Sequence, residues 1–201
     1  EGIGESESVR INSRSIAASG VFGTLWIANE GKIVHTSPPT DGSIESIICM
    51  EFRPSGTLVA SRRCLDGIGD LVPESRIECW DISSGRIHCS ETDRPISSMT
   101  PTQHGVIAGD LMGGVTQIEI SGQQSDRIQL DDQRISTLSC HDEIICVGIW
   151  FNIFGLRDGV MLWKCELDGI PRSITRSSDG RSIAVCVDPS TDAVSAWAFN
   201  P

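Results

Sequence analysis

Two segments of this chain, 124 residues apart, share one local pattern, and such a repeat restricts the folds available to it. Cys49–Ser61 and Ser173–Val185 each read as a strand, a turn containing glycine, and an apolar strand with a small residue at its centre. The turn glycines are Gly56 and Gly180, and their separation corresponds to three periods of about 41 residues. A period of this size predicts an array of similar units, each stabilised by its neighbours.

The rest of the chain consists of short β-branched or apolar runs, separated by clusters of Gly, Pro, Asp and Ser, which is typical of strands. No convincing stretch shows the i, i+3, i+4, i+7 apolar spacing of an amphipathic helix. We therefore expect an all-β protein with seventeen short strands. The strands group into five units: Val9–Pro38, Ile44–Glu91, Ile96–Leu130, Arg134–Cys165 and Ile170–Ala198.

The second unit carries a specific motif. It reads Phe52-x-Pro54-x-Gly56-x-x-Val59-Ala60-Ser61, followed by Cys79-Trp80-Asp81-Ile82-Ser83-Ser84-Gly85. This motif resembles one repeat of the WD-repeat family, and weaker forms of it around Trp26, Ile118 and Trp163 extend the resemblance from about Ser15 to Phe199. The resemblance implies a β-propeller of four-stranded antiparallel blades that contacts other proteins. The Gly-His pair that opens a family repeat is missing, so the family's Asp–His–Ser/Thr–Trp network is not carried over to any unit.

The sequence does not determine the number of blades. The fifth unit has three strands, and the segment between Cys165 and Arg172 has no room for a fourth strand of unit four and its return loop. The family usually closes with about seven blades. The alternatives are a compact five-bladed ring, an open arc, or part of a larger propeller. We expect the last, because an open end exposes sheet edges; residues 1–201 then form a single propeller domain or a fragment of one.

Charge and hydropathy exclude two classes of partner. The formal net charge is −11, and the densest basic spot is Arg62-Arg63, so we expect no binding to nucleic acid. No apolar run reaches the roughly 18 residues of a membrane-spanning helix, so we expect no membrane insertion.

The eight cysteines include no C-x-x-C pair, which argues against zinc and thioredoxin-like chemistry. Most lie in strand-like runs, where a free thiol packs as a small hydrophobe. We expect reduced cysteines and an intracellular protein, cytoplasmic or nuclear. If Ser83-Ser84-Gly85 is a hairpin loop, Cys79 and Cys89 lie directly opposite each other, within about 5.5 Å, which permits a disulfide.

No nucleophile elbow, phosphate-binding loop or histidine metal spacing is present, so we expect no enzyme activity and no cofactor. Asp66 and Asp70 lie in a Gly-rich loop, Cys64–Ser75. The sequence allows two interpretations of this loop, a weak Ca²⁺ site and a solvated loop without a ligand. The spacing of the carboxylates is not that of an EF-hand.

Trp26, Trp80, Trp163 and Trp197 are expected on the third strand of their units, where they pack between blades. Trp150 instead precedes an apolar segment, Phe151–Gly159, which we interpret as a long loop. In a propeller this loop and Cys64–Ser75 emerge on one face and flank the short connection Leu111–Gly114, which makes a groove. The alternative is a loop that folds over the channel or the next blade. The predicted partner-binding residues are Trp150, Phe151, Ile153, Phe154, Leu156, Arg157, Asp66, Asp70 and Leu71.

These features favour a non-enzymatic interaction scaffold that presents loops to other proteins, as a subunit of a complex. A small-ligand or sugar-binding propeller is the first alternative, although its blades would carry similar pockets and these loops differ from one another. An enzyme with a site at the channel mouth is the second, although no convergent nucleophile, base or metal set is present.

Overall fold

The computed structural model describes residues 6–20, 23–39, 44–65, 71–92, 94–141, 143–176 and 181–199. Within these ranges every regular element is a strand. The strands are β1 Ser6–Asn12, β2 Ser15–Gly20, β3 Leu25–Asn29, β4 Lys32–Ser37, β5 Ile44–Phe52, β6 Leu58–Leu65, β7 Leu71–Asp81, β8 Gly85–Thr92, β9 Ile96–Pro101, β10 Gly105–Asp110, β11 Gly114–Glu119, β12 Ile128–Gln129, β13 Ile135–His141, β14 Ile144–Ile149, β15 Asn152–Arg157, β16 Val160–Glu166, β17 Ile170–Arg176, β18 Ser182–Val187 and β19 Val194–Phe199. The prediction of an all-β protein is confirmed.

The strands form five antiparallel sheets in chain order. Sheet 1 contains β1 to β4, sheet 2 contains β5 to β8, sheet 3 contains β9 to β12, sheet 4 contains β13 to β16, and sheet 5 contains β17 to β19. Each sheet is a meander, because strands that follow one another in sequence also pair in space. The five predicted units therefore correspond to the five sheets, and the prediction of three strands in the fifth unit is confirmed for the described residues. The described part of the chain has no helix that could cross a bilayer.

The fourth sheet corrects the sequence interpretation. The segment predicted as the loop Phe151–Gly159 is mostly strand β15, in which Phe154 pairs with Val147 of β14. A tight turn at Trp150 and Phe151 joins these two strands. Sheet 4 is thus complete before Leu167, and no strand has to fit between Cys165 and Arg172. Trp163 consequently lies on the fourth strand of its sheet and not on the third.

The chain divides into two compact units. The first runs to Ile96 and adds Pro101–Val106 and Ile118–Gln124; the second contains Ser97–Thr100, Ile107–Gln117 and the residues from Ser125 onward. In the first unit, sheets 1 and 2 share a core in which Trp80 is buried. The members of this core are Ala17, Leu25, Ile27, Ile47, Met50, Leu58, Ala60 and Trp80. The inter-sheet role predicted for Trp80 is confirmed.

The first unit also buries an ion-pair network. Arg62 contacts Glu78 (Nε to Oε1, 3.1 Å) and Glu45 (Nη1 to Oε2, 3.1 Å), and none of the three side chains is exposed. Arg76 contacts the same two carboxylates, each at 3.2 Å. The indole Nε1 of Trp80 donates to Glu78 Oε2 at 3.2 Å. The charges are compensated by one another, which is the condition for burying them.

The predicted position of Cys79 directly opposite Cys89 is wrong. A bulge between Cys79 and Trp80 shifts the register of β7 and β8, so Cys79 lies opposite His88 and Cys89 lies opposite Glu78. A shift of one residue turns a side chain to the other face of a sheet. Cys79 is therefore buried while Cys89 is exposed, and neither of these two thiols is part of a disulfide.

Candidate functional site

Three of the predicted partner-binding residues are buried. Asp66 and Asp70 lie outside the described residues, and Leu71 begins β7. Ile153, Phe154 and Leu156 are at most 3% exposed. The tall loop on which the predicted groove depended is a buried strand, so that prediction is wrong.

The physical reason is that β15 is covered on both faces. Ile153 packs in a core with Ala184 and Cys186 of sheet 5. Phe154 and Leu156, on the opposite face, pack in a core that includes Ile107 and Val115. A central strand with two buried faces reads as a continuous apolar run, and this pattern was mistaken for an exposed apolar loop.

Among the predicted residues whose side chains the structure describes, Trp150 and Arg157 are exposed, and they lie near the two ends of β15. Trp150 lies in the β14–β15 turn at φ 48°, is 48% exposed, and packs edge-on against Phe151 with ring centroids 5.2 Å apart. The carbonyl of Phe151 accepts a hydrogen bond of 2.7 Å from the amide of Leu167, in the link between β16 and β17. This bond holds the aromatic turn beside the residue that follows Leu167, which is Asp168.

Asp168 organises the next part of the surface. Its Oδ1 accepts hydrogen bonds from the Ser195 hydroxyl at 2.7 Å and from the Trp197 indole at 2.8 Å, both on β19. These two donors hold the pKa of Asp168 below its ordinary value. The carboxylate is therefore ionised at neutral pH, and its donors in the described part of the chain are uncharged.

A second carboxylate lies nearby in the turn between β18 and β19. Asp188 accepts hydrogen bonds from the Ser190 hydroxyl at 2.7 Å, the Ser190 amide at 2.8 Å and the Thr191 hydroxyl at 2.8 Å. These bonds lower the pKa of Asp188, with Ser190 contributing most. The charge of Asp188 acts on Asp168 in the opposite direction and raises its pKa, so the two carboxylates lie within electrostatic range of each other.

We call this region the acidic aromatic surface and define it as Trp150, Phe151, Asp168, Asp188, Ser195 and Trp197. Trp197 is 39% exposed in this chain. An exposed indole next to an ionised carboxylate suits an ammonium or guanidinium group, because the ring face and the carboxylate both attract cations.

Sequence reasoning missed both carboxylates of this surface. The run Asp188-Pro189-Ser190-Thr191 has the composition of an Asx turn, which was the available signal for Asp188. Asp168 had no comparable signal, since its two partners lie 27 and 29 residues further along the chain. Among the described residues, no group of three His, Cys, Asp or Glu side chains is placed to hold a metal ion.

Comparison with solved structures shows that the fold is a β-propeller. The chain is similar to the WD40 β-propeller domain of Doa1, with a TM-score of 0.70 and 12% identity over 95% of this chain and 62% of that one. It is also similar to a protein of unknown function from Bacteroides caccae, with a TM-score of 0.66 and 10% identity over 93% of this chain and 78% of that one. The chain thus spans less than two thirds of the Doa1 structure.

No family model matches the chain, and no curated protein matches it. Identities of 10% and 12% establish the shared fold alone. The sequence resemblance to the WD-repeat family stays a prediction.

Proposed function

We propose that this chain is a non-enzymatic protein-interaction domain, and that it binds a positively charged segment of a partner protein at the acidic aromatic surface. The similarity to a WD40 propeller domain supports a role in protein–protein contact. Propeller folds serve many functions, so the fold does not specify the binding site or the charge of the partner. Both depend on the residues of this chain.

The observation that carries the proposal is the pair formed by Asp168 and Trp197. The Ser195 hydroxyl and the Trp197 indole both donate to the same carboxylate oxygen, Oδ1, at 2.7 and 2.8 Å, and the indole ring beside this carboxylate is exposed. A partner lysine or arginine can then contact the carboxylate and the indole ring together. Such a contact combines a charge-assisted hydrogen bond with a cation–π interaction.

The rest of the surface supports the same chemistry. Trp150 adds a second exposed ring, and the Asp188 carboxylate adds a second negative charge. Trp and Tyr rings are over-represented among the residues that dominate binding energy at interfaces. The net charge of −11 also increases the rate at which a positive partner associates.

The test is a binding titration by fluorescence anisotropy with two labelled peptides of mixed sequence, one of Lys and Ser and the other of Glu and Ser, at about 0.15 M salt. We expect the Lys peptide to bind and the Glu peptide not to bind. Asp168→Asn and Trp197→Ala should each weaken binding about tenfold, the equivalent of about 1.4 kcal/mol.

Asp158→Asn is the matched control, because Asp158 is an exposed carboxylate in the β15–β16 turn and contributes nothing to the acidic aromatic surface. Its φ of 51° is also tolerated by asparagine. Equal weakening by Asp158→Asn and Asp168→Asn would mean that only net charge matters, and the proposed site would then be wrong.

A further inference from the structure

We propose that the partner segment binds in the polyproline II conformation, with a proline packed against the Trp150 and Phe151 rings and a basic residue, three positions away, at the Asp168 carboxylate. This inference rests on the proposed function and adds the conformation and the sequence of the partner segment. The proposed function requires a positive charge and no proline.

The first argument is the backbone of Trp150. This residue begins the two-residue turn between β14 and β15, at φ 48°. A left-handed backbone is unfavourable for a bulky side chain, and hairpin turns usually place Gly, Asn or Asp there. The other non-glycine residues of positive φ in the described ranges are polar: Ser13, Glu30, Glu143, Asp158 and Asp192. A glycine or asparagine at position 150 would therefore serve the fold better than the tryptophan.

The second argument is that burial does not offset this cost. Trp150 is 48% exposed, and its ring meets Phe151 edge-on. Backbone strain that the fold does not need is concentrated at ligand-binding sites, where it helps to place a side chain. The position of the Trp150 ring is therefore better explained by binding than by packing.

The third argument is the shape that the two rings form. Their planes meet at 85°, with centroids 5.2 Å apart, so the Trp150 and Phe151 rings are the two walls of an apolar corner. A proline ring is compact and rigid and fills such a corner. Aromatic surfaces bind polyproline II segments in this way, and the preformed conformation of the segment keeps the entropy cost of binding low.

The fourth argument is the fixed relation between this corner and Asp168. The carbonyl of Phe151 accepts a hydrogen bond of 2.7 Å from the amide of Leu167, which is buried, and Asp168 follows as an exposed residue. One hydrogen bond and one residue thus connect the rings to the carboxylate, a separation on the order of 10 Å.

The polyproline II helix matches this arrangement. It has three residues per turn and rises about 9 Å in each turn, so residues three positions apart point to the same side. A proline in the aromatic corner therefore presents the residue three positions away to Asp168. The ionised carboxylate favours Lys or Arg at that position.

The experiment compares three blocked peptides of seven residues. The first is Pro-Ser-Ser-Lys-Ser-Ser-Pro, which has the predicted spacing in both chain directions. The second, Ser-Pro-Ser-Lys-Ser-Pro-Ser, has the same composition and a spacing of two. In the third, serine replaces both prolines of the first. We expect the first peptide to bind at least tenfold more tightly than the third and at least threefold more tightly than the second.

Two variants assign the preference for proline to Trp150. Trp150→Asn removes the ring at a φ that asparagine tolerates, and it should reduce the affinity for the first peptide to that for the third. Met112→Asn is the matched control, because Met112 is an apolar residue in the β10–β11 turn and is 53% exposed. It should keep the preference. A preference that survives Trp150→Asn, or that Met112→Asn also removes, overturns the inference.

Fluorine NMR of the wild-type protein labelled with 5-fluorotryptophan provides a readout that does not depend on the Trp150→Asn variant. The Trp150 signal is identified by its loss in Trp150→Phe. The first peptide should shift this signal and leave that of the buried Trp80 in place. Binding of the first peptide without a shift at Trp150 overturns the inference.

The outcomes separate the two proposals. If the mixed Lys and Ser peptide of the proposed function binds while the three short peptides do not differ in affinity, or do not bind, the polyproline II inference is overturned and the proposed function stands. Failure of every basic peptide to bind overturns both.

Discussion

Arg62 and Glu78 form an ion pair whose two side chains have no exposed surface, with 3.1 Å between Nε and Oε1. Removal of the arginine leaves the buried carboxylates of Glu78 and Glu45 short of a counter-charge. We expect Arg62→Met to lower the free energy of unfolding by about 3–5 kcal/mol in urea denaturation.

Arg14→Met is the control for this first prediction. Arg14 contacts Glu30 at 2.9 Å, but both side chains are mostly exposed, so its removal should produce no measurable change. Equal changes in the free energy of unfolding for the two substitutions would show that the buried Arg62 network does not stabilise the fold.

The second prediction concerns Phe154, which the sequence analysis placed in a binding loop and the structure places in a core. Phe154→Ala should lower the free energy of unfolding by about 3–5 kcal/mol, because it leaves a cavity between two sheets. The neighbouring substitution Trp150→Asn should cost about 1 kcal/mol or less, since Trp150 is exposed and asparagine tolerates its positive φ. Thermal and urea unfolding of the two variants check this, and a stable Phe154→Ala variant would contradict the buried position of β15.

The third prediction separates backbone strain from steric overlap at two glycines of positive φ. A Cβ at Gly31 meets nothing within 4 Å. Gly31→Ala should therefore lower the free energy of unfolding by about 1 kcal/mol, because alanine is disfavoured at the positive φ of this position. A Cβ at Gly122 would lie 1.8 Å from Nε2 of His88. Gly122→Ala should therefore cost about 1–3 kcal/mol more than Gly31→Ala. Similar unfolding free energies for both variants would mean that His88 moves aside without cost.

The fourth prediction concerns the reactivity of two thiols. Burial raises the pKa of Cys79 to about 11 and also raises the pKa of Cys89, but Cys89 is exposed on the other face of the sheet and Cys79 is buried. In the native protein we expect iodoacetamide to modify Cys89 long before Cys79, and unfolding to remove the difference. Peptide mass mapping measures both rates. A Cys79–Cys89 disulfide after mild oxidation would show that the register shift between β7 and β8 is not maintained.

The fifth prediction is a titration. Hydrogen bonds from Ser83, and then from Ser84, lower the pKa of Asp81 to about 2. Because this pKa is below the value of about 3.9 in an unfolded chain, the interaction stabilises the fold above that pH and is lost as the pH falls toward 2. Ser83→Ala should raise the pKa of Asp81 in an NMR titration and leave that of Asp188 unchanged. An unchanged Asp81 would assign the shift to Ser84 alone.

The elements that the sequence predicted well are those with a local signal. Gly56 ends a turn between two apolar strands, and Trp80-Asp81 closes a strand before a Ser-Ser-Gly turn, so strand and turn boundaries follow from neighbouring residues. Five units could be counted in this way. Strand β1 was missed because its sequence, Ser-Glu-Ser-Val-Arg-Ile-Asn, is mostly polar and pairs only in the context of β2.

The site was predicted poorly because its residues meet through the fold. Asp168 lies next to Trp197 only because β19 returns beside the link that follows β16. The acidic aromatic surface therefore had no pattern within any short window of sequence. The predicted set and this surface share two residues, Trp150, which is 48% exposed, and Phe151, which is partly buried.

By itself, the sequence determined the all-β class and the order of the five sheets, because strand alternation and turn chemistry act over a few residues. The tertiary structure decided which apolar residues are covered. The sequence around Ile153 and Phe154 is compatible with a loop and with a central strand. These residues are buried because sheets pack on both sides of β15. It also decided the register of Cys79, since a bulge that changes pairing by one residue depends on the packing of both faces of the sheet.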